Sequence, residues 1–262
     1  MTLVVKVGGH ALDDLRPRSA VLGELAQDLG EMLARGERVV LVHGGGPQIA
    51  ELLGRLGMAS RFVDGLRVTD QETMRVVVMA MAEVNTAVVA ALSHAGVPCV
   101  GLNGADATLF AATSLGPPWD RAAGAPRVRA DVVGALLDAG YVPVVSSVSV
   151  DENGDLLNCN ADAAAGALAR ALDAQSLVLL SDVDQIRRDP DDPTTAQSRL
   201  SVGALRELVD SGAVREGMRP KALAALAALD EGAASVLVAN GTRAHALRRA
   251  LAGEIPTTEV HA

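Results

Sequence analysis

The chain has 262 residues, with 23 basic and 32 acidic side chains and a formal net charge of −9. That length suits one large α/β domain or two lobes sharing a sheet, and the acidic balance argues against a nucleic-acid partner, which usually meets a basic excess. Aromatic residues are only 2%, so alanine, valine and leucine must fill the core; Cys99 and Cys159 are too few for a disulfide framework and stand in no metal-ligand spacing.

The chain opens on a buried strand, Leu3 to Val7, that runs into Gly8 and Gly9 with Lys6 set among valines. A lysine inside an apolar strand costs free energy unless its ammonium reaches an anion or water. The two glycines let a ligand approach the backbone and favour an anion site; a head that snorkels to water is the alternative. Val21, Leu22, Leu25, Leu29 and Leu33 then recur at helical spacing between Ser19 and Arg35. A second strand over 38–42 ends at His43, Gly44, Gly45 and Gly46, and Pro47 is placed to open a helix over 47–56. Three consecutive glycines clear side chains from a whole turn, while His43 reads as a hydrogen-bonded structural histidine. Neither glycine run matches GxxxxGK[ST] or a complete GxGxxG, which disfavours a dehydrogenase.

Asp64-Gly65 marks a turn, and Arg67 beyond it is either a surface arginine or a carboxylate clamp. Thr69-x-x-Glu72 reads as a capping box opening a helix to about His94. A strand over 97–102 follows, and residues 103–130 look like a hairpin-bearing excursion outside the core. A helix at 131–139 leads to the strand YVPVVSSVSV and an Asn153-Gly154 hairpin turn. Asn158, Asn160 and Asp162 sit at alternate positions before the next helix. One of them serves as its N-cap, and the surplus suggests ligand contacts or a carboxylate that holds a lysine.

A further buried strand over 176–183 reaches Asp182, and the polar, proline-bearing stretch from Arg187 to Ser198 is a surface loop. Helices are expected over 201–211 and 219–230, then the strand ASVLVAN, a helix over 242–252 and a short last strand. Lys221 opens the second of those helices, where a lysine is unremarkable. Strands alternating with helices imply right-handed βαβ units and a mainly parallel sheet covered on both faces. Ligands bind beyond the carboxyl ends of such strands, where the glycine runs and Asp182 fall. A soft boundary is expected at 170–175. The first strand begins at residue 2 and no apolar run looks long enough to span a membrane, so a soluble, cytoplasmic protein without a signal peptide is expected.

Taken in order, VVKVGG, LVHGGGPQI, GLRVTDQETM, GYVPVVSSV, LLNCNADAAA, LLSDV and GMRPK resemble the amino-acid kinase family over nearly the whole chain. The resemblance is nearest to the branch that phosphorylates the side-chain carboxylate of N-acetylglutamate in arginine biosynthesis. It implies a three-layer αβα sandwich of the carbamate kinase-like type, with an acceptor lobe over about 1–172 and a nucleotide lobe over about 173–262. By the resemblance, Lys6 and Lys221 would flank the transferring phosphoryl group and Asp162 would position them. Gly45, Gly46, Arg67, Asn158 and Asn160 would bind the acceptor. Gly8, Gly9, Asp182, Val183, Asp184, Gln185, Ile186, Arg187, Ala213, Val214 and Arg215 would meet ATP. Mg²⁺ would arrive with the nucleotide, with no separate protein metal site, and the family implies a homodimer through the acceptor lobe.

Some features differ from the family pattern. Asp184-Gln185 stands where relatives usually carry proline-glycine, Ala105 and Ala107 where a lysine and a glycine are expected, and the 103–130 excursion is short. The long N-terminal helix of arginine-inhibited hexamers is missing, so insensitivity to arginine is expected. Two alternatives accompany this reading. One is the sister kinase acting on glutamate or aminoadipate linked to an acidic carrier protein, which an arginine cluster at Arg121, Arg127 and Arg129 could attract. The other is an inactive nucleotide-binding regulatory protein of the same fold, disfavoured by the retention of Lys6, Asp162 and Lys221.

Overall fold

The computed structural model describes residues 1–15, 19–189, 191–215, 218–230, 233 and 235–261. Strand β1 (Thr2–Val7) passes through a short 3-10 turn at Gly9–Leu12 to α1 (Ala20–Ala34), β2 (Arg38–His43) and α2 (Gly46–Arg55). The hairpin β3 (Phe62–Val63) and β4 (Leu66–Arg67) precedes α3 (Gln71–His94) and β5 (Cys99–Asn103). Then come β6 (Phe110–Ala111), β7 (Ser114–Gly116), β8 (Asp120–Ala123), β9 (Arg127–Val128), α4 (Asp131–Asp138), β10 (Val142–Ser146), β11 (Val148–Val150), β12 (Leu156–Cys159) and α5 (Ala161–Ala171). The remainder holds β13 (Ser176–Ser181), β14 (Ile186–Arg187), β15 (Ala196–Gln197), β16 (Arg199–Ser201), α6 (Val202–Asp210), α7 (Met218–Asp230), β17 (Ser235–Asn240), α8 (Ala246–Leu251) and β18 (Thr257–His261).

Eight strands form one sheet in the order β16-β18-β17-β13-β1-β2-β10-β5, parallel except where β17 meets β18. The alternation of side chains along β1 decides which layer each residue joins. Leu3, Val5 and Val7 pack with α1, α3 and α8, whereas Val4 packs on the other face with α4, α5, α6 and α7. Lys6 shares the parity of Val4 and is therefore delivered to the α5 and α7 layer. The result is the expected three-layer αβα sandwich.

A second sheet has the order β7-β8-β12-β11-β6-β9. YVPVVSSVSV is read as one strand in the sequence but is two: β10 lies in the main sheet, and after Ser147 the chain enters the second sheet as β11. The 103–130 excursion is also partly core, because Leu109 and Phe110 are fully buried. Gly104 makes this possible: a Cβ there would lie 2.2 Å from both the Phe110 ring and the Val148 carbonyl oxygen.

Three local expectations change. The cap of α3 is Asp70, whose carboxylate accepts from Thr73 N at 2.7 Å; Thr69 instead donates its hydroxyl to the Arg67 carbonyl. Helix α3 is long and apolar enough to cross a membrane by length and composition alone, contrary to the sequence expectation. It packs as a core helix, with Val84, Val88, Ala91 and Leu92 buried against the sheet. Helix α8 begins at Ala246 rather than 242, after His245 in the left-handed region.

Ala107, at the position where the resemblance leads one to expect glycine, has φ +50°. A Cβ is disfavoured there, although glycine also gains freedom in the unfolded chain, so Ala107→Gly is expected to stabilise by ~0.5–1 kcal/mol. Calorimetry should show Tm rising by about 2 °C for a chain of this length; an unchanged or lower Tm would mean the turn carries no such strain.

Candidate active site

Lys6 is the next-to-last residue of β1 and only 6% exposed. A Cβ on residue 8 would lie 2.2 Å from the Lys6 Nζ, so Gly8 is what allows the ammonium to fold back over the strand end. There it lies 2.9 Å from Asp162 Oδ1, while Lys221 Nζ lies 3.6 Å from Oδ2 of the same carboxylate. Helix α5 meets α7 closely at Gly166, where a Cβ would be 3.1 Å from the Ala224 carbonyl oxygen. That close approach carries Lys221, in the first turn of α7, to the first turn of α5.

The three polar residues before α5 divide their work. Asn160 is the N-cap, accepting from Asp162 N at 2.8 Å and Ala163 N at 3.2 Å. Asn158 donates to Thr69 Oγ1 at 3.1 Å. Asp162 is released from capping and turns inward. Burial by itself would push the Asp162 carboxyl up, but the Lys6 and Lys221 ammoniums together outweigh it and hold the pKa below the usual carboxylate value. The triad of two cations and one anion thus keeps one net positive charge out of bulk water.

Lys6 and Asp162 border a cavity of about 370 Å³ that also takes in Gly8, Gly44, Gly45, Gly46, Arg67, Asn158 and Asn160, whereas Lys221 reaches the site through Asp162. Gly45 and Gly46 begin α2, where a helix leaves N–H groups without intrahelical acceptors and favours anions. Gly45 has a second reason to lack a side chain, since a Cβ would sit 2.8 Å from Met81 Sδ. Arg67 is a buried side chain rather than a surface one. Its guanidinium donates to Ser60 Oγ and to the Gly46 carbonyl at 3.2 Å, and lies 4.7 Å from the Phe62 ring centroid. Burial lowers its pKa. The β3–β4 hairpin is thereby fastened to the glycine turn.

Ser147, Phe62 and Cys159 also line the cavity and were not singled out from sequence. The available signal for Ser147 was a short polar residue interrupting a valine run, at the point where the chain changes sheets. Burial pushes the Cys159 thiol up to about 12, so it serves there as a small apolar wall rather than a nucleophile.

A separate depression of about 240 Å³ is lined by Asp182, Val183, Asp184, Gln185, Arg187, Ala213, Val214 and Arg215. Ile186 is the exception in that set. Its side chain is fully buried and its N–H donates to Thr258 Oγ1 at 2.8 Å, so it holds the loop rather than facing the depression. The unusual Asp184-Gln185 pair is well anchored. Arg243 grips Asp184 with two bonds of 2.7 and 2.9 Å, and Gln185 donates to the Thr257 carbonyl at 2.9 Å. The hydrogen bond from Arg243 holds the Asp184 carboxyl below its usual range. Gly8 belongs to the first cavity, and Gly9 starts the 3-10 turn beyond it. Gly217 of GMRPK lies outside the described residues.

The proposed arginine cluster does not form as one patch. Arg121 lies on β8 and Arg127 on β9, with β12, β11 and β6 between them in the second sheet, and Arg121 is paired with Asp155 at 3.0 Å.

The chain resembles proteins of known activity along most of its length. It is 36% identical over 260 residues to an acetylglutamate kinase of Methanothermobacter thermautotrophicus, covering 94% of this chain and 87% of that protein. It is 42% identical over 247 residues to an acetylglutamate kinase of a Synechococcus strain, covering 94% and 85%. In fold it matches the carbamate kinase of Giardia lamblia bound to AMP-PNP, with a TM-score of 0.72 at 17% identity over 99% of this chain and 98% of the other. Residues 1–240 match the model of the amino acid kinase family. Sandwich, glycine turns and relatives agree, and the chain belongs to that family.

Proposed function

We propose that this protein is an acetylglutamate kinase, which transfers the γ-phosphoryl group of ATP to the side-chain carboxylate of N-acetyl-L-glutamate. The observation that carries the reading is the buried Lys6–Asp162–Lys221 triad beside a glycine-rich helix start. A free carboxylate of this kind has a pKa near 4.3, so the acceptor is already an anionic nucleophile at neutral pH and needs no general base. One carboxylate oxygen bonds to the γ-phosphorus as the bond from that phosphorus to the β,γ-bridging oxygen breaks. The products are ADP and an acyl phosphate.

The barrier lies in bringing two anions together, and positioning with electrostatic stabilisation is what phosphoryl transfer asks of a protein. In this reading Lys6 and Lys221 bracket the phosphoryl oxygens, and the N–H groups of Gly45 and Gly46 face developing charge. Arg67, Asn158 and Asn160 orient the acceptor. ATP lies along Asp182–Arg187 and Ala213–Arg215, with Gly8 and Gly9 toward its phosphates, which divides the chain into acceptor and nucleotide lobes near residue 172. Mg²⁺ would come with ATP as part of the substrate, since Asp162, the carboxylate bordering the cavity, is engaged by both lysines. A homodimer through the acceptor lobe, where Met79 is exposed on α3, and a cytoplasmic location complete the reading.

The test compares kcat/KM for free N-acetylglutamate with that for glutamate linked to an acidic carrier protein, at low and moderate ionic strength. The free acceptor is expected to be preferred at both, since the net charge of −9 repels an acidic carrier and Arg121 is already neutralised by Asp155. A preference for the carrier form that strengthens as salt is lowered would move the protein to the sister branch.

A further inference from the structure

Helix α3 presents an apolar face to the sheet, and one polar side chain interrupts it. Asn85 follows the fully buried Val84 and lies three residues before Val88, both packed in the core. Its amide nitrogen lies 2.9 Å from His43 Nε2 and 2.9 Å from the Val144 carbonyl oxygen. Its amide oxygen fills the space that Gly101 leaves open, since a Cβ on residue 101 would lie 2.2 Å from it. On the far side of the ring, His43 Nδ1 lies 3.0 Å from the Gly44 carbonyl oxygen. A carbonyl can only accept, so Nδ1 carries the proton and Nε2 accepts from Asn85. Burial, only partly opposed by the bond to Gly44, pushes the His43 imidazole down to about 4, which keeps the ring neutral.

The chain from α3 to the cavity is therefore Asn85, the neutral His43 ring, the Gly44 carbonyl, and then the N–H groups of Gly45 and Gly46. Neither Asn85 nor His43 lines the cavity. We propose that Asn85 is a positioning residue for phosphoryl transfer: acting through the fixed tautomer of His43, it sets the orientation of the Gly44–Gly46 turn. The proposal rests on the kinase reading above, in which that turn meets charge developing in the reaction. Catalytic hydrogen-bond donors lose much of their effect when displaced by a fraction of an ångström.

Two variants approach Asn85 from opposite sides. Asn85→Ala removes the amide, and Gly101→Ala places a methyl against its oxygen without touching the cavity. Each is expected to lower kcat/KM for the acceptor about tenfold and leave KM for ATP within twofold. The double variant should be no worse than Asn85→Ala alone, because the methyl then has no amide to displace. Nitrogen NMR of the imidazoles should show His43 as the Nδ1–H tautomer in both proteins, since the Gly44 carbonyl remains, whereas in Asn85→Ala the Nε2 signal should move as it loses its donor and the Gly45 and Gly46 amide signals should shift with it. An Nε2–H tautomer in the unmodified protein, unchanged glycine amides in Asn85→Ala, or additive losses in the double variant would each overturn the proposal. If the unmodified protein fails to phosphorylate N-acetylglutamate, the kinase reading falls by itself, and the NMR comparison still decides whether Asn85 sets the turn.

Discussion

Replacing Lys6 by alanine is expected to lower turnover at least a hundredfold while the fold survives. Stabilising donors aimed at developing charge are typically worth ~10²–10³ in rate, and the Lys6 ammonium reaches the cavity from a rigid central strand. The residual structure is not left with a lone buried anion, because Lys221 remains 3.6 Å from Asp162; a modest fall in Tm is therefore expected. Turnover followed by ADP release, normalised to folded protein, is the measurement. Near-normal turnover would remove Lys6 from the reaction, and a Lys6→Met variant of similar length separates lost charge from lost volume.

Asp162→Asn attacks the same triad from its centre and should behave differently. The cap of α5 is Asn160, so helix capping is untouched. What changes is that two ammoniums share a buried site with no counterion, which is costly when one partner of a buried pair is removed. A rate loss of a hundredfold or more is expected, together with a lower Tm that ATP restores more strongly than in the unmodified protein. The sign of the pH dependence follows from the depressed Asp162 pKa. The carboxylate contributes stability at pH values above its unfolded pKa, and that contribution is lost as pH falls through its lower folded value. The stability gap between the two proteins should thus be full at neutral pH and close only in strong acid. A gap that stayed constant into acid, or full activity in the variant, would show that the ion triad is not what Asp162 supplies.

The parts of this site that were legible in the sequence are those whose local surroundings contradict them. Lys6 stands out because a charge in a valine strand requires a partner, and Asp162 because three capping residues precede a helix that needs one. The sheet and its helical layers follow from the same alternation of short apolar runs and helical spacing. Lys221 has no such contrast, since a lysine in the first turn of an alanine-rich helix is ordinary until the Gly166–Ala224 approach brings α7 onto α5. The arginines at 121, 127 and 129 failed for the converse reason. Proximity in sequence suggested a patch, but strand order is a tertiary property, and three strands separate two of them. Thr69 and Asp70 compete for one cap, and the hydroxyl of Thr69 is taken by the preceding turn and by Asn158.

The central place of β1 also bears on how the chain is made. One of its two neighbours, β2, follows after about 30 residues, but the other, β13, is separated from it by about 170. At roughly 5–20 residues per second of synthesis, the β13-facing edge of β1 waits on the order of 10–30 s for its partner. A naked edge of apolar, β-branched residues is a template for pairing with another nascent chain, and a single inward charge is one of the devices that blunt it. Lys6 occupies that position in TLVVKV. Lys6→Ala is therefore expected to lower the share of protein recovered soluble, independently of any change in the stability of the molecules that do fold; an equal soluble share in the two proteins would show that this edge needs no such charge.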